Sequence, residues 1–196
     1  MDAAADYAAA KAMLARPLPA YVSYTVRAHV KFDAIVREKT TSVVVRTADG
    51  AIVKGELPET LPGSVHIGNG DRSGLEPVKH PAFKPACYEP TSATMQQYEG
   101  ANLEAIALRG LCSNKKSDQD FDTLYVDPRS HKPVAVTGSQ NEESVTVRLA
   151  ESYAHTGDYV MPSTLYVRVH GTGFMFWLDV LVDQRYSDYR FSATAP

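Results

Sequence analysis

Residues 20–32 alternate between apolar and polar side chains, which is typical of a β-strand with one covered face. Two further β-prone runs lie between Ile35 and Gly55, and Ala48-Asp49-Gly50 separates them as a hairpin turn would. This part of the chain therefore predicts three antiparallel strands. The apolar face of the first strand consists of Val22, Tyr24, Val26, Ala28, Val30 and Phe32.

A helical segment is expected before these strands. Residues 1–16 predict one N-terminal helix, because alanine dominates the stretch and Asp2 and Asp6 complement the positive end of the helix dipole. Pro17 and Pro19 end it.

Residues 58–100 follow neither a helix period nor a strand period. The segment is rich in Gly and Pro but also contains scattered apolar residues, so it predicts an irregular lid or plug that packs on the domain. Within it, Ser92–Tyr98 predict a short helix.

The second half of the chain returns to strand patterns separated by short polar turns. No long amphipathic helix lies between these runs, so a parallel sheet built from βαβ units is disfavoured. The expected fold class is α+β, mainly β. It would be an antiparallel sheet curved into a barrel or half-barrel, with the N-terminal helix against it, in one domain spanning residues 1–196.

The last strand, within "GTGFMFWLDVLVDQRYSDYRF", is apolar on both sides. Met175, Trp177 and Leu181 occupy one side. The other side forms a continuous apolar surface with the preceding strand if the two pair as a hairpin. Either a self-packed core or a bound apolar molecule would bury that surface, and the pattern leaves both open. The residues of this surface are Phe174, Phe176, Leu178, Val180 and Val182 together with Leu165, Val167 and Val169.

The composition argues against two classes of function. The 196-residue chain has a net charge of −3 and no basic cluster larger than Lys115-Lys116, so nucleic-acid binding is not expected. No apolar run approaches about 18 residues, so no membrane-spanning helix is predicted. The N-terminus lacks the features of a signal peptide, which leaves open a cytoplasmic protein or an exported domain whose signal is absent from this sequence.

No arrangement of side chains predicts a catalytic site, a metal site or a cofactor. His29 and His170 could meet on neighbouring strands, but neither belongs to a metal-binding spacing, and exposed strand histidines are the simpler interpretation. The cysteines, Cys87 and Cys112, form no C-x-x-C motif. In an exported protein they would form a disulfide, and in a reducing compartment they would be buried thiols.

Two carboxylates of the last strand are too far apart for hydrolytic catalysis. Asp179 and Asp183 would be separated by about 13 Å along an extended strand, which exceeds the spacing of paired catalytic carboxylates. We expect them to form ion pairs with Arg168 or Arg185 on the outer face of the sheet.

The order of these features resembles the LolA/LolB-like superfamily of bacterial envelope proteins, which carry lipoproteins or lipids between membranes or sense envelope lipoprotein status. The likeness rests on the N-terminal helix, on "YVSYTVRAHVKF" with its hairpin, on "DFDTLYVDPRSHKPVAV" and on the closing "YSDYRF". It implies a strongly curved, incomplete antiparallel barrel, capped by helices, that binds acyl chains on its concave face. It also implies export to the periplasm or cell envelope, and with it a Cys87–Cys112 disulfide across the irregular segment.

The chain also departs from the lipoprotein carriers. "KGELPE" stands where they have an Arg-Pro signature, and no exposed apolar loop matches the membrane-inserting loop of their receptor partner. These departures argue against lipoprotein transfer in particular.

We therefore expect a non-catalytic monomer that binds, and transports, a lipid or another apolar ligand in the cell envelope, with an envelope protein as a further partner. Two alternatives stay open: an envelope-sensing or protein-interaction module with a self-filled interior, and an enzyme that uses the histidines. The residues expected to line the apolar site are Tyr24, Val26, Phe32, Val45, Leu165, Val167, Phe174, Phe176 and Leu178.

Overall fold

The computed structural model describes residues 2–58, 82–112, 121–142, 144–173 and 176–195. These residues contain one α-helix and ten β-strands, and all of the strands belong to one antiparallel sheet. The elements are α1 (Ala3–Leu14), β1 (Tyr21–Phe32), β2 (Ile35–Arg46), β3 (Ala51–Lys54), a short 3-10 turn (Pro85–Cys87), β4 (Tyr88–Tyr98), β5 (Ala101–Gly110), β6 (Thr123–Val126), β7 (Pro133–Glu142), β8 (Val145–Thr156), β9 (Tyr159–Gly173) and β10 (Phe176–Ser192).

The sheet is a curved meander whose last strand returns to the first. Its order is β3-β2-β1-β10-β9-β8-β7-β6-β5-β4, so β10 pairs with β1, and β3 and β4 form the edges of the described sheet. Bulges shift the register between β1 and β10, between β4 and β5 and between β8 and β9. Bulges bend strands and increase their twist. The result is an open antiparallel barrel with one helix, which confirms the expected fold class.

One face of the sheet carries the hydrophobic core, and we call it the inner face. The side chains that β1 presents on it are buried from Val22 to Val30, whereas Arg27 on the opposite, outer face is exposed. The register continues the inner face across the sheet; one row joins Val30 to Val182 and then to Val167. Full burial of such a side chain stabilises the fold by roughly 1.5–3 kcal/mol.

α1 covers part of the inner face. The carboxylate of Asp2 accepts hydrogen bonds from two backbone N–H groups of the first turn, at 3.1 and 3.2 Å, and so caps the helix. Tyr7 and Ala10 are buried in the same core cluster as the inner-face side chains. A helix is present within the predicted residues 1–16, and it spans Ala3–Leu14.

The interpretation of residues 58–100 as irregular is wrong at its C-terminal end. Ser92–Tyr98, predicted to form a short helix, belong to strand β4. Pro90 is tolerated in this strand because β4 lies at the edge of the sheet and its register with β5 shifts beside the proline. Residues 59–81 of the predicted lid lie outside the described residues.

Candidate functional site

The residues predicted to line an apolar site share the inner face wherever the structure describes them. Phe32 and Leu178 are half-buried and pack against the hydrophobic cluster. Phe174 and the side chain of Phe176 lie outside the described residues. That any of these residues contacts a ligand stays a prediction. The buried members of the cluster are Tyr24, Val26, Val45, Leu165 and Val167.

Residues 82–88, which we call the plug segment, lie over the inner face beside α1. The ring centroid of Phe83 is 5.1 Å from that of Tyr88 and 5.6 Å from that of Phe121, and all three side chains are buried in the core. The Tyr7 hydroxyl of α1 donates a hydrogen bond of 2.8 Å to the Pro85 carbonyl. Helix and plug segment therefore hold one another against the sheet.

A disulfide joins Cys87 to Cys112, with a Cα–Cα distance of 4.9 Å. The predicted bridge is present, but it does not span the irregular segment as the resemblance implied. Because Cys87 immediately precedes β4 and Cys112 follows β5, the bridge closes the β4–β5 hairpin. It fixes the C-terminal end of the plug segment to the edge of the sheet.

Glu151 of β8 places a carboxyl group in the middle of the inner face. It pairs in register with Val136 on one side and Leu165 on the other, both buried, and is itself 3% exposed. The backbone N–H groups of Ala82 and Phe83 in the plug segment donate hydrogen bonds to it. Burial raises the pKa of Glu151 to about 7, and these hydrogen bonds oppose the rise without cancelling it.

Further polar groups lie on the same part of the inner face. The Tyr153 hydroxyl faces it and lowers its pKa, although the contact falls short of a regular hydrogen bond. Two strands away in the same row, the buried Gln184 accepts a hydrogen bond of 2.6 Å from the Tyr186 hydroxyl. Burial is the largest cause of the raised pKa of Tyr186, and the charges of Tyr24 and Glu151 raise this pKa further. We call Glu151, Tyr153, Gln184 and Tyr186 the polar centre.

The polar centre is suited to binding. Its carboxyl and amide oxygens accept hydrogen bonds inside an apolar surrounding, where such bonds are stronger than in water. Among the described residues, no group of three or more His, Cys, Asp and Glu side chains is placed to hold a metal ion.

A second buried carboxyl, Glu104 of β5, lies beneath the N-terminal half of α1. It is 2% exposed, although it lies close to the molecular surface. Burial first, and then a hydrogen bond with the Asp6 carboxyl, raise the pKa of Glu104. Asp6 also places its Oδ1 at 2.9 Å from the Nδ1 of His131 in the β6–β7 turn. Because two carboxyl groups bond only through a shared proton, this acidic pair is a proton-dependent contact between helix and sheet.

Charged side chains on the outer face of β10 form the ion pairs that the sequence predicts. The Asp179 carboxylate lies 3.6 Å from the Nε of Arg168 and 3.3 Å from the Nζ of Lys31. The Asp183 carboxylate lies 3.3 Å from the guanidinium of Arg185. Pairing of the two aspartates with arginines is therefore confirmed.

The two histidines of the enzymatic alternative lie in different rows of the outer face. His29 is opposite Asp183, and its Nδ1 is 2.8 Å from the Oε1 of Glu38. His170 is opposite Asp179. Since these two rows are separated by about 13 Å along β10, the structure does not bring the histidines into one site.

Glu151, Glu104 and Gln184 are absent from the residues that the apolar pattern selects, although each lies on the buried side of its strand. Glu151 alternates with Leu149 in "VTVRLAESY", and Glu104 alternates with Ile106 in "NLEAIALRGL". A single polar residue within an apolar alternation is the signal that identifies such positions, because burial of a polar group costs free energy unless a partner is built in.

Solved structures share this architecture at low sequence identity. A LolA superfamily protein from Nitrosomonas europaea is similar with a TM-score of 0.51 and 13% identity, covering 100% of this chain and 96% of that one. A domain from Vibrio parahaemolyticus, named as an outer membrane lipoprotein-sorting protein, is similar with a TM-score of 0.52 and 11% identity. The match covers 98% of this chain and 93% of that one. A DUF1329 family protein from Desulfovibrio piger is similar with a TM-score of 0.51 and 12% identity. The match covers 100% of this chain and 96% of that one.

Other comparisons add no narrower assignment. No protein-family model and no curated protein matches the chain. In the part of the chain that the structure describes, no helix is long and apolar enough to cross a membrane. The structural likeness nevertheless extends over nearly the whole chain, and this protein has the LolA-like open-barrel fold that its sequence resemblance implied.

Proposed function

We propose that this protein binds a lipid or another apolar ligand on the inner face of its open barrel and carries it within the cell envelope. The observation that supports this most directly is the run of apolar inner-face side chains across β1, β10, β9 and β8. The fold adds support, because one structure that shares it is named as a lipoprotein-sorting domain.

The apolar part of the ligand would enter where apolar side chains of the inner face are only partly covered. Phe32 at the end of β1, Leu178 near the start of β10, and Val145 and Val147 near the start of β8 are half-buried. The next inner-face residue along each of these strands is buried. We call this partly covered region the open end of the barrel.

The disulfide supports a location outside the cytosol, because disulfides persist in oxidising compartments and are rare in reducing ones. Binding through apolar burial needs no catalytic residue, so the ligand would leave unchanged. The protein would act as a monomer and pass its ligand to another envelope protein.

The neutral dye N-phenyl-1-naphthylamine, whose fluorescence rises in apolar surroundings, provides the test. The wild-type protein is expected to bind it, and Leu178→Ser at the open end is expected to weaken binding about fivefold. Loss of part of a leucine's burial costs roughly 1 kcal/mol, which corresponds to that factor. The matched control is Leu181→Ser, on the outer face of the same strand, which should change the affinity less than twofold.

Native mass spectrometry of gently purified protein gives an independent readout. An adduct with the mass of an acyl lipid supports carriage. Equal loss of dye affinity in both serine variants, or a wild-type protein that binds no dye and carries no adduct, would contradict the proposal.

An envelope-sensing or protein-interaction module is the second candidate. The aromatic cluster of Phe83, Tyr88 and Phe121 favours it, because these rings fill part of the interior with the protein's own side chains. For this candidate, both the dye titration and the mass spectrum should report an unliganded chain.

A further inference from the structure

We infer that Glu151 selects the ligand: it accepts apolar molecules whose polar end donates N–H hydrogen bonds and carries no negative charge, such as an alkylammonium or an N-acyl amide. This inference rests on the proposed function and deepens it by naming a ligand class. Glu151 is a hydrogen-bond acceptor buried at the centre of the inner face between Val136 and Leu165.

The plug segment already shows which groups this acceptor binds. Its donors are two backbone amide N–H groups, those of Ala82 and Phe83, and the phenyl ring of Phe83 lies in the apolar core next to them. An N–H end joined to an apolar group is therefore the chemistry that fits this place. The Ala82–Phe83 unit is an internal stand-in for the ligand.

A negatively charged head group does not fit the same place. Next to Glu151 on the inner face the described neighbours are apolar, namely Val136, Leu149 and Leu165, and the nearby titratable groups are tyrosines. The cationic side chains of β8 and β9 point away from Glu151, to the other side of the sheet. They are Arg148 and Arg168, which are exposed on the outer face. A carboxylate or phosphate at Glu151 would thus meet a second anion, and none of the described inner-face neighbours is a cation that would offset the repulsion.

Ligand and plug segment must compete for the carboxyl. A head group reaches Glu151 only when the N–H groups of Ala82 and Phe83 release it. The disulfide at Cys87 and the hydrogen bond from Tyr7 to Pro85 hold the other end of the segment in place. Release of the first two residues therefore does not require the hairpin β4–β5 to separate from the sheet.

Three ten-carbon probes that differ only at their polar end test the inference: decylamine, decanamide and decanoate. Isothermal titration calorimetry at pH 8, below the micelle concentrations, is expected to show decylamine binding at least tenfold more tightly than decanoate. Decanamide should bind more tightly than decanoate as well. In Glu151→Gln, which keeps the side-chain size and one acceptor oxygen, the preference for decylamine over decanoate should fall to threefold or less.

Two further variants complete the experiment. Phe83→Ala removes the competing ring and should raise the affinity for decylamine and decanamide severalfold. Glu104→Gln is the matched control, because it neutralises the other buried glutamate, which lies beneath α1, and should preserve the order of the three probes.

The outcomes separate this inference from the proposed function. Binding of all three probes with no head-group preference, or an order unchanged by Glu151→Gln, overturns the selection by Glu151 and leaves apolar binding intact. Failure of every probe to bind the wild type and Phe83→Ala alike overturns both.

Discussion

Two glutamates are buried on the inner-face side of their strands, and they differ in what satisfies them. Glu151 is 3% exposed and receives hydrogen bonds from two backbone N–H groups of the plug segment, whereas Glu104 is 2% exposed and bonds to another acid, Asp6. Burial is the largest cause of the raised pKa in both. The donors at Glu151 are backbone N–H groups, which keep their hydrogen at any pH of interest. The bond between Glu104 and Asp6, by contrast, exists only as long as one of the two carboxyl groups keeps a proton.

This difference separates a binding position from a clamp. Glu151 lies in the centre of the apolar face, and its partners belong to a short segment that a ligand can replace. Glu104 lies near the surface, and its partner belongs to α1, which His131 also contacts through Asp6. A change at Glu151 should therefore alter stability and ligand choice, and a change at Glu104 should alter only how firmly the helix is held.

Removal of the Glu151 carboxyl should produce the largest loss of stability. At pH 5, where this group is mostly protonated, Glu151→Ala is expected to lower the free energy of unfolding by roughly 4 kcal/mol. Two buried N–H groups would lose their acceptor, at about 1–3 kcal/mol each, and a small cavity would form. Glu104→Ala should cost only about 1 kcal/mol, because it orphans no backbone donor. Urea denaturation monitored by tryptophan fluorescence and circular dichroism measures both.

Glu151→Gln is the control for this comparison. Glutamine keeps the side-chain volume and one acceptor oxygen. The free energy of unfolding of this variant at pH 5 should therefore be less than about 1.5 kcal/mol below that of the wild type. Equal losses for alanine at positions 151 and 104 would show that the plug segment does not depend on Glu151.

The dependence of stability on pH should also come mainly from Glu151. Burial raises its pKa from 4.5 to about 7 in the folded protein, so the folded state holds the proton more tightly than the unfolded chain. The resulting stabilisation is complete below pH 4.5, is lost as the pH rises to 7, and stays lost above it. Between pH 4.5 and pH 8, the free energy of unfolding of the wild type should therefore fall by roughly 3 kcal/mol more than that of Glu151→Gln. Parallel pH profiles for the two proteins would contradict the assignment.

The sequence predicts the parts of this fold that follow from local periodicity. The alternation from Val22 to Val30 identifies the inner face of β1, the alanine-rich start identifies α1, and Ala48-Asp49-Gly50 identifies the β2–β3 hairpin. These signals suffice because each depends on neighbouring residues and on one buried face. They locate the candidate lining residues of β1 and β2 without any knowledge of the strand order.

The same rules fail where long-range pairing decides the structure. β4 has little apolar alternation, since it is an edge strand with most residues from Thr91 to Gln97 exposed, and Pro90 obscures it further. The polar centre is hidden for a related reason. Glu151 alone predicts an unfavourable buried charge, and only the approach of Ala82 and Phe83 explains how the fold tolerates it.

Glu104→Gln should produce the smallest change in the free energy of unfolding. At pH 8 the glutamine amide can donate to the Asp6 carboxylate without a shared proton, so this variant should be about 1 kcal/mol more stable than the wild type. Because the pKa of Glu104 is raised, the wild-type pair holds its proton to a larger extent at pH 5 than at pH 8, and the gain in stability from Glu104→Gln should be smaller at pH 5. Denaturation at both pH values measures the difference. A gain of equal size at pH 5 and pH 8 would mean that the contact between α1 and β5 does not depend on a proton, and the distinction between the two glutamates would then lie in their location alone.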